Sequence, residues 1–401
     1  MPAGDVSTFK IAVRYGADAI YIGGESFSLR AKAKNFTIDE MKECVNLAHS
    51  KNIKVYITAN IYAHNDDLAD AEKYFYELNE VKPDAVLISD VGLINIAKRV
   101  LNDIDIHLST QANTTNYESV KFYRDLGVKR VVLARELSLD EIKKIKDEVK
   151  DSIEIESFVH GAMCISYSGR CLLSAFMTGR SANSGECTHP CRWKYMLLEE
   201  DERKGEYMPV METERGTYIF NSKDLNMIEH VDKLIESGID SLKIEGRMKT
   251  ALYIATVSRT YRKAIDDYYK DKNLYLNSIE KYNEEISKCT YREFTTGFYF
   301  GKPSEETQIY NNSTYIVGAT YYGTVEKVDD EYAYFEQKNK FSVGDELVVM
   351  KPNFENLRVK VIEMFDDETK EKIDSCPHAK QKLKVKFDKK LEELDILRSV
   401  E

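Results

Sequence analysis

No window of this chain approaches the roughly 18 uncharged apolar residues that a membrane-crossing helix needs, so a helical span is excluded. The opening residues, MPAGDVSTFKIAVRYG, have no basic segment followed by an apolar core. They do not read as a secretion signal, and a reducing cytoplasm is the expected setting. Motifs of the common hydrolases and dehydrogenases are missing too. No H-E-x-x-H supplies zinc ligands, no G-x-S-x-G a nucleophile elbow, and no G-x-G-x-x-G a dinucleotide fingerprint. Positive charge is in deficit: the formal net charge is −11, which argues against indiscriminate nucleic-acid binding. Local basic stretches persist around Arg30, Lys32 and Lys34, along Arg247, Lys249, Arg259, Arg262 and Lys263, and from Lys380 to Lys390. Each reads first as a solvated face.

What the chain does have is length and period. At 401 residues, 43% hydrophobic and 31% charged, it has a soluble globular composition and exceeds one ordinary core. Capping boxes at Thr37 with Glu40 and at Ser138 with Glu141 mark helix starts. Aliphatic runs such as DAIYIGG, KVYITANI and AVLISDVG mark buried strands between helices. Seven strand candidates result, at 18–23, 54–61, 85–90, 104–111, 130–136, 153–160 and 239–245. Strands alternating with helices predict a parallel sheet. The reading is α/β, a TIM-like barrel over residues 1–270. Such a barrel needs eight strands. Met-Pro-Ala-Gly-Asp looks like the end of a strand entering a helix, so the first strand is read as damaged or missing. An open doubly wound sheet is the alternative. Residues 271–312 read as a polar, tyrosine-rich connector. From 313 to 401 the period shortens, and YYGTVEKV, YAYFEQKN, DELVVMKP, LRVKVIEM and QKLKVKF predict a small all-β barrel domain.

In a TIM-like barrel the chemistry gathers where strands end. Those ends are polar here: Asn60, Asp90, Ser109 to Asn113 including Gln111, Arg135 and Glu136, His160, then Lys243, Glu245 and Arg247. Solvation of loop starts explains one or two of these; nearly every end being polar favours a pocket. Directly after His160 comes an insertion, 161–220, carrying Cys164, Cys171, Cys187 and Cys191 among turn-forming glycines. Thiolates clustered so tightly suggest one shared metal. Their spacing, C-x6-C-x15-C-x3-C, lacks the paired C-x2-C knuckles of most structural zinc sites and the C-x3-C-x2-C of radical-SAM enzymes. Zinc and an iron–sulfur cluster both stay open on spacing, and four thiolates fit the cluster. Cys164 beside His160 could also imitate a Cys–His pair. Cys44 falls on the core face of a helix, and Cys289 and Cys376 stand alone, so these three read as packing residues.

The run ESFVHGAMCISYSGRCLLS resembles the signature of the peptidase U32 family, the collagenase-like proteins. PAGD, YGADAIYIGG, FSLRAKAKNFT, SLKIEGRMK and TTGFYFG are similar to that family as well, so the resemblance spans nearly the whole chain. It implies either proteolysis, for which the family was named, or RNA hydroxylation with a four-cysteine iron–sulfur cluster. By length the chain looks most like the branch that makes 5-hydroxyuridine at the tRNA wobble position. That branch implies a 4Fe-4S cluster on Cys164, Cys171, Cys187 and Cys191, with tRNA as substrate and prephenate as the implicated metabolite. An electron donor or partner subunit would complete such a system. Arg30, Arg135 and Arg247 are forks suited to the carboxylates of a prephenate-like acid, with Asn60, Gln111 and Asn113 beside them. His160 and Glu245 are the candidate proton-transfer groups. An RNA-binding adaptor using the cluster as a staple is the non-enzymatic alternative.

Overall fold

A computed structural model describes residues 1–28, 35–164, 166, 171–178, 180, 187–188, 190, 211–213, 216–218, 222–301 and 315–400. Parallel strands β1 (Ala19–Gly23), β2 (Lys54–Ala59), β3 (Ala85–Ile88), β4 (Asp105–Leu108), β5 (Arg130–Val132) and β6 (Glu154–Ala162) pair in chain order. Helices α1 (Val6–Arg14), α2 (Ile38–His49), α3 (Leu68–Val81), α4 (Val91–Val100), α5 (Tyr117–Asp125) and α6 (Leu139–Val149) alternate with them. Local chemistry sets their starts: Thr37 with Glu40, and Ser138 with Glu141, form reciprocal capping boxes that satisfy orphan N–H groups.

The segment after β6 holds α7 (Leu173–Thr178), a hairpin of β7 (Met211–Thr213) and β8 (Gly216–Tyr218), and then β9 (Asp224–Asn226). After α8 (Val231–Glu236), β10 (Ser241–Ile244) returns parallel to β6, so all seven predicted strand stretches contain a strand. Met1 to Ala3 run beside β1 through a parallel bridge from Pro2 to Tyr21. This contact is an isolated bridge and not a strand. The long helix α9 (Ala251–Lys270) closes the series and buries one whole face.

β6 is the branch point. Its first half pairs with β10, whereas residues 160–162 pair antiparallel with β9. A register shift sets Lys243 opposite Phe158 and Ile244 opposite His160, skipping Val159. Such a bulge re-aims the side chains beyond it. The stretch read as a connector is more ordered than its composition suggests. It holds α10 (Lys272–Leu276), α11 (Ile279–Ile286), β11 (Thr290–Tyr291) and β12 (Phe294–Thr295), and β12 joins the barrel's sheet through β9.

β13 (Ile316–Val317) pairs with β11 and leads into the C-terminal domain. There β14 (Tyr321–Thr324), β15 (Lys327–Val328), β16 (Tyr332–Glu336), β17 (Glu346–Met350), β18 (Asn356–Asp366), β19 (Lys382–Phe387) and β20 (Ile396–Ser399) form one sheet in the order β14-β20-β17-β18-β19-β16-β15. Its two edge strands, β14 and β15, are adjacent in sequence, so the sheet curls back onto itself around Val325, Phe335, Leu347, Val359 and Val385.

Buried polar groups lock the two domains together. The Tyr15 hydroxyl donates to the carbonyls of Met350 at 2.9 Å and Leu394 at 3.2 Å. Arg259, 1% exposed, donates to Glu285 at 2.6 Å and to the Lys351 carbonyl at 2.8 Å. Arg398 grips Glu285 with both nitrogens, at 2.7 and 2.9 Å. Burial alone would push the Glu285 carboxyl up; the two guanidinium groups outweigh it and hold the group below its ordinary value.

Candidate active site at the barrel mouth

The strand ends of one barrel face bring several of the sequence-derived candidates together. Arg247, just beyond β10, is buried and donates to Ser28 at 2.7 Å, Thr58 at 3.5 Å and Asn35 at 3.2 Å. Gly23 at the end of β1 makes room for it: an added Cβ would lie 2.2 Å from the guanidinium and 2.3 Å from the Ser28 hydroxyl. Arg135, beyond β5, stacks 3.9 Å above the Phe158 ring and donates to the Ala162 carbonyl at 3.2 Å. Its guanidinium stands 3.7 Å from the Glu245 carboxylate. Gly161, at φ +107°, lets β6 pass the Glu245 backbone, which a Cβ would meet at 2.5 Å. Arg135, Glu245 and the end of β6 therefore form one packed unit.

Across the mouth, Asn60 donates to the Ser109 hydroxyl at 3.3 Å, while its own carbonyl accepts from Ser89 at 3.2 Å. The Gln111 carbonyl accepts from the Tyr62 hydroxyl. Asn113 sits in the left-handed region, φ 55°, which Asn tolerates better than most residues. Two oxygens on this turn, Asn113 Oδ1 and Thr114 Oγ1, are shielded from solvent without a hydrogen-bond partner among the described residues. Buried acceptors left in that state mark positions that a ligand's donors can fill.

Two candidates sit elsewhere. Lys243 was grouped with the mouth but is buried toward the opposite end, 2.5 Å from Glu156. A strand's side chains alternate, and Lys243 still lies within β10, one residue before its end. His160 is 1% exposed, and its recorded partners lie in the layer behind the sheet. Its Nδ1 stands 3.3 Å from Asn226 Oδ1 and 3.5 Å from the Tyr261 hydroxyl, with the rings of Tyr253, Tyr261 and Phe294 around it. Burial lowers its pKa to about 3, so it is neutral. Asp90 is the side-chain cap of α4, accepting from the Leu93 N–H at 3.0 Å. Arg30 and Cys191 lie outside the described residues.

The cysteines divide by environment. Cys164 is exposed and Cys171 and Cys187 are half-buried, while Cys44, Cys289 and Cys376 are buried. Burial pushes the Cys44 and Cys289 thiols up to about 12 and raises Cys376 as well, as expected of inert packing residues. Thr188 stitches the Cys187 stretch to α7: its N–H donates to Ser174 Oγ at 3.1 Å, and its hydroxyl lies 3.1 Å from the same atom. Cys171 is two residues before that helix, so its neighbourhood and that of Cys187 are joined. Among the described residues no three metal-ligating side chains converge. Accessible thiols on a segment leaving the barrel mouth nonetheless suit a thiolate-bound metal centre, and all described cysteines are free of disulfides.

Sequence reasoning missed Ser28, Thr58, Phe158 and Thr114. Thr58 carried a signal, being the polar residue inside the aliphatic run KVYITANI. Phe158 carried none, since a strand phenylalanine reads as core.

An α/β barrel with its polar mouth beside a thiol-rich insertion, and a β-barrel locked behind it, defines the class. The chain belongs to peptidase family U32: the family model matches residues 4–309, and the model of the family's C-terminal domain matches 318–398. It is 41% identical to "tRNA hydroxylation protein P1" of Bacillus subtilis, over 99% of this chain and 93% of that protein. With "tRNA hydroxylation protein P" of Escherichia coli it shares 38% identity, covering 88% and 85% of the two chains. With the protein named "Collagenase" of Porphyromonas gingivalis it shares 30%, covering 92% and 91%. No helix among the described residues is long and apolar enough to cross a membrane.

Proposed function

We propose that this chain hydroxylates RNA, converting the wobble uridine of tRNA to 5-hydroxyuridine without molecular oxygen. In this reading Cys164, Cys171, Cys187 and Cys191 hold an iron–sulfur cluster, and a prephenate-like dicarboxylate occupies the barrel mouth. The observation that carries it is the 41% identity, over 99% of the chain, with a tRNA hydroxylation protein. A cluster on four thiolates would supply electron transfer there.

The chain's own residues bind and orient. Arg135 and Arg247 offer planar forks to two carboxylates, the first stiffened by Phe158 and the second by Ser28, Thr58 and Asn35. Glu245, beside Arg135, is the carboxylate placed to accept a proton at its Oε atoms. Asn113 and Thr114 offer acceptors to a hydroxyl or amide of the bound ligand. His160 is packed against Asn226 and Tyr261, so in this reading proton transfer is assigned to Glu245. The same placement weakens a cysteine-peptidase reading, because the ring that would activate Cys164 is packed among three aromatic side chains.

Mass spectrometry of tRNA nucleosides from cells with and without this gene is the test. Loss of 5-hydroxyuridine derivatives with the gene is expected; unchanged levels would overturn the reading. Anaerobic purification should yield iron and sulfide, whereas zinc alone would remove the cluster. Cys164→Ala should abolish the product while tRNA binding persists; joint loss of folding and binding would favour the adaptor reading.

A further inference from the structure

A second cavity, of about 560 Å³, lies between the barrel and the C-terminal domain. The first turns of α1 and α9 form one wall and the start of the C-terminal domain the other, with Lys249, Thr250, Thr320, Lys338 and Asn339 among its lining groups. It adjoins the mouth, since Lys249 follows Arg247 by two residues.

Lys249 pairs with no carboxylate among the described residues. Its ammonium is steadied by two rings instead, 5.0 Å from the centre of Tyr253 and 4.7 Å from that of Tyr315. Arg292 approaches Tyr315 as well, 4.6 Å from its centre, and donates to its hydroxyl at 3.2 Å. Lys338 enters from the other domain, in a half-exposed pair with Glu336 at 2.5 Å. A pair of that kind is weak enough for another anion to compete for the lysine. One carboxylate, Asp5, also lines the cavity, and it is engaged in capping α1, accepting from the Thr8 N–H at 2.8 Å and hydroxyl at 2.9 Å.

We infer that this interdomain cleft holds the phosphodiester backbone of the RNA beside the nucleotide being modified. The inference rests on the RNA-hydroxylation reading and adds the surface that reading lacks. Two lysines, Lys249 from the barrel and Lys338 from the C-terminal domain, converge on this one cavity. Phosphate contacts position a nucleic acid without reading its sequence, which is what a site next to a fixed catalytic mouth requires. The buried Arg259–Glu285–Arg398 cluster keeps the two walls at a set distance.

The test is equilibrium binding of full-length protein to unmodified tRNA across a salt series, with nucleoside analysis of the same variants in cells. Lys249→Ala and Lys338→Ala should each reduce the log–log salt slope by about one and weaken all tRNAs alike. If the double lysine variant binds with wild-type affinity and slope and still modifies tRNA, the cleft is not the RNA site and the hydroxylation reading stands. If wild-type protein itself neither binds tRNA nor changes its nucleosides, the hydroxylation reading fails first.

Discussion

The two ends of the barrel handle charge in opposite ways. At the floor, Glu156 is 3% exposed and meets Lys243 at 2.5 Å, Arg130 at 3.0 Å and the Ser241 hydroxyl at 2.8 Å. Burial would push its carboxyl up, yet Lys243 and Arg130 overcome that and hold it well below the ordinary carboxylate range. His107, edge-on to Tyr56, is driven down to about 3 by burial and by Arg130. Glu156, Lys243 and Arg130 answer one another. At the mouth the Arg135–Glu245 pair stands at 3.7 Å, and Asn113 and Thr114 keep unmatched oxygens. Matched charges hold a fold together, and loosely matched ones are what a ligand can complete.

That contrast can be broken experimentally. Lys243→Ala should cost about 1.5–3 kcal/mol of stability, because it takes from a buried carboxylate the nearer of its two cationic partners; urea unfolding reads it, and a loss under about 1 kcal/mol would mean the floor is no structural plug. Next comes acid sensitivity. His107 and His160 both have folded pKa values near 3, below the unfolded value of about 6.5. Their contribution is complete above pH ~6.5 and falls as the unfolded chain takes up protons below it, by up to about 1.4 kcal/mol per pH unit for each group. His107→Gln should flatten the urea-stability profile between pH ~6.5 and ~4.5 by that amount; an unchanged slope would mean the ring is not buried neutral.

At the mouth the balance should invert. Arg135→Ala should lose only about 1–2 kcal/mol of stability, the worth of its ring stacking and a long ion pair. Product formation should drop about a hundredfold or more, as misplaced reacting groups do. Stability loss matching that of Lys243→Ala would erase the distinction between the two ends. Smallest of all, Cys164→Ser in metal-free protein should shift stability by no more than about 0.5 kcal/mol, since an exposed thiol contributes little to packing. Differential scanning calorimetry of the chelator-treated variant checks this.

Much of the barrel was legible in the chain. Strand positions follow from aliphatic runs, and helix starts from Thr37, Ser138 and their glutamates, because both signals are local. The bridge from Pro2 to Tyr21 was legible only as a hint in Met-Pro-Ala-Gly. β20 escaped notice, since ILRS is too brief to show a period. Among the polar strand ends, Arg135, Glu245 and Arg247 come to one face, Lys243 lies toward the other end, and His160 packs against Asn226 and Tyr261.

Sequence alone determined the order of strands and helices, the clustering of four thiols and the switch to short strands after residue 313, all of which are written in neighbouring residues. Tertiary structure decided which polar groups meet. One skipped residue in β6 turned His160 behind the sheet, and the pleat sent Lys243 to Glu156 while leaving Arg135 against Glu245. Register and side-chain facing arise between strands far apart in the chain, so no local pattern can carry them.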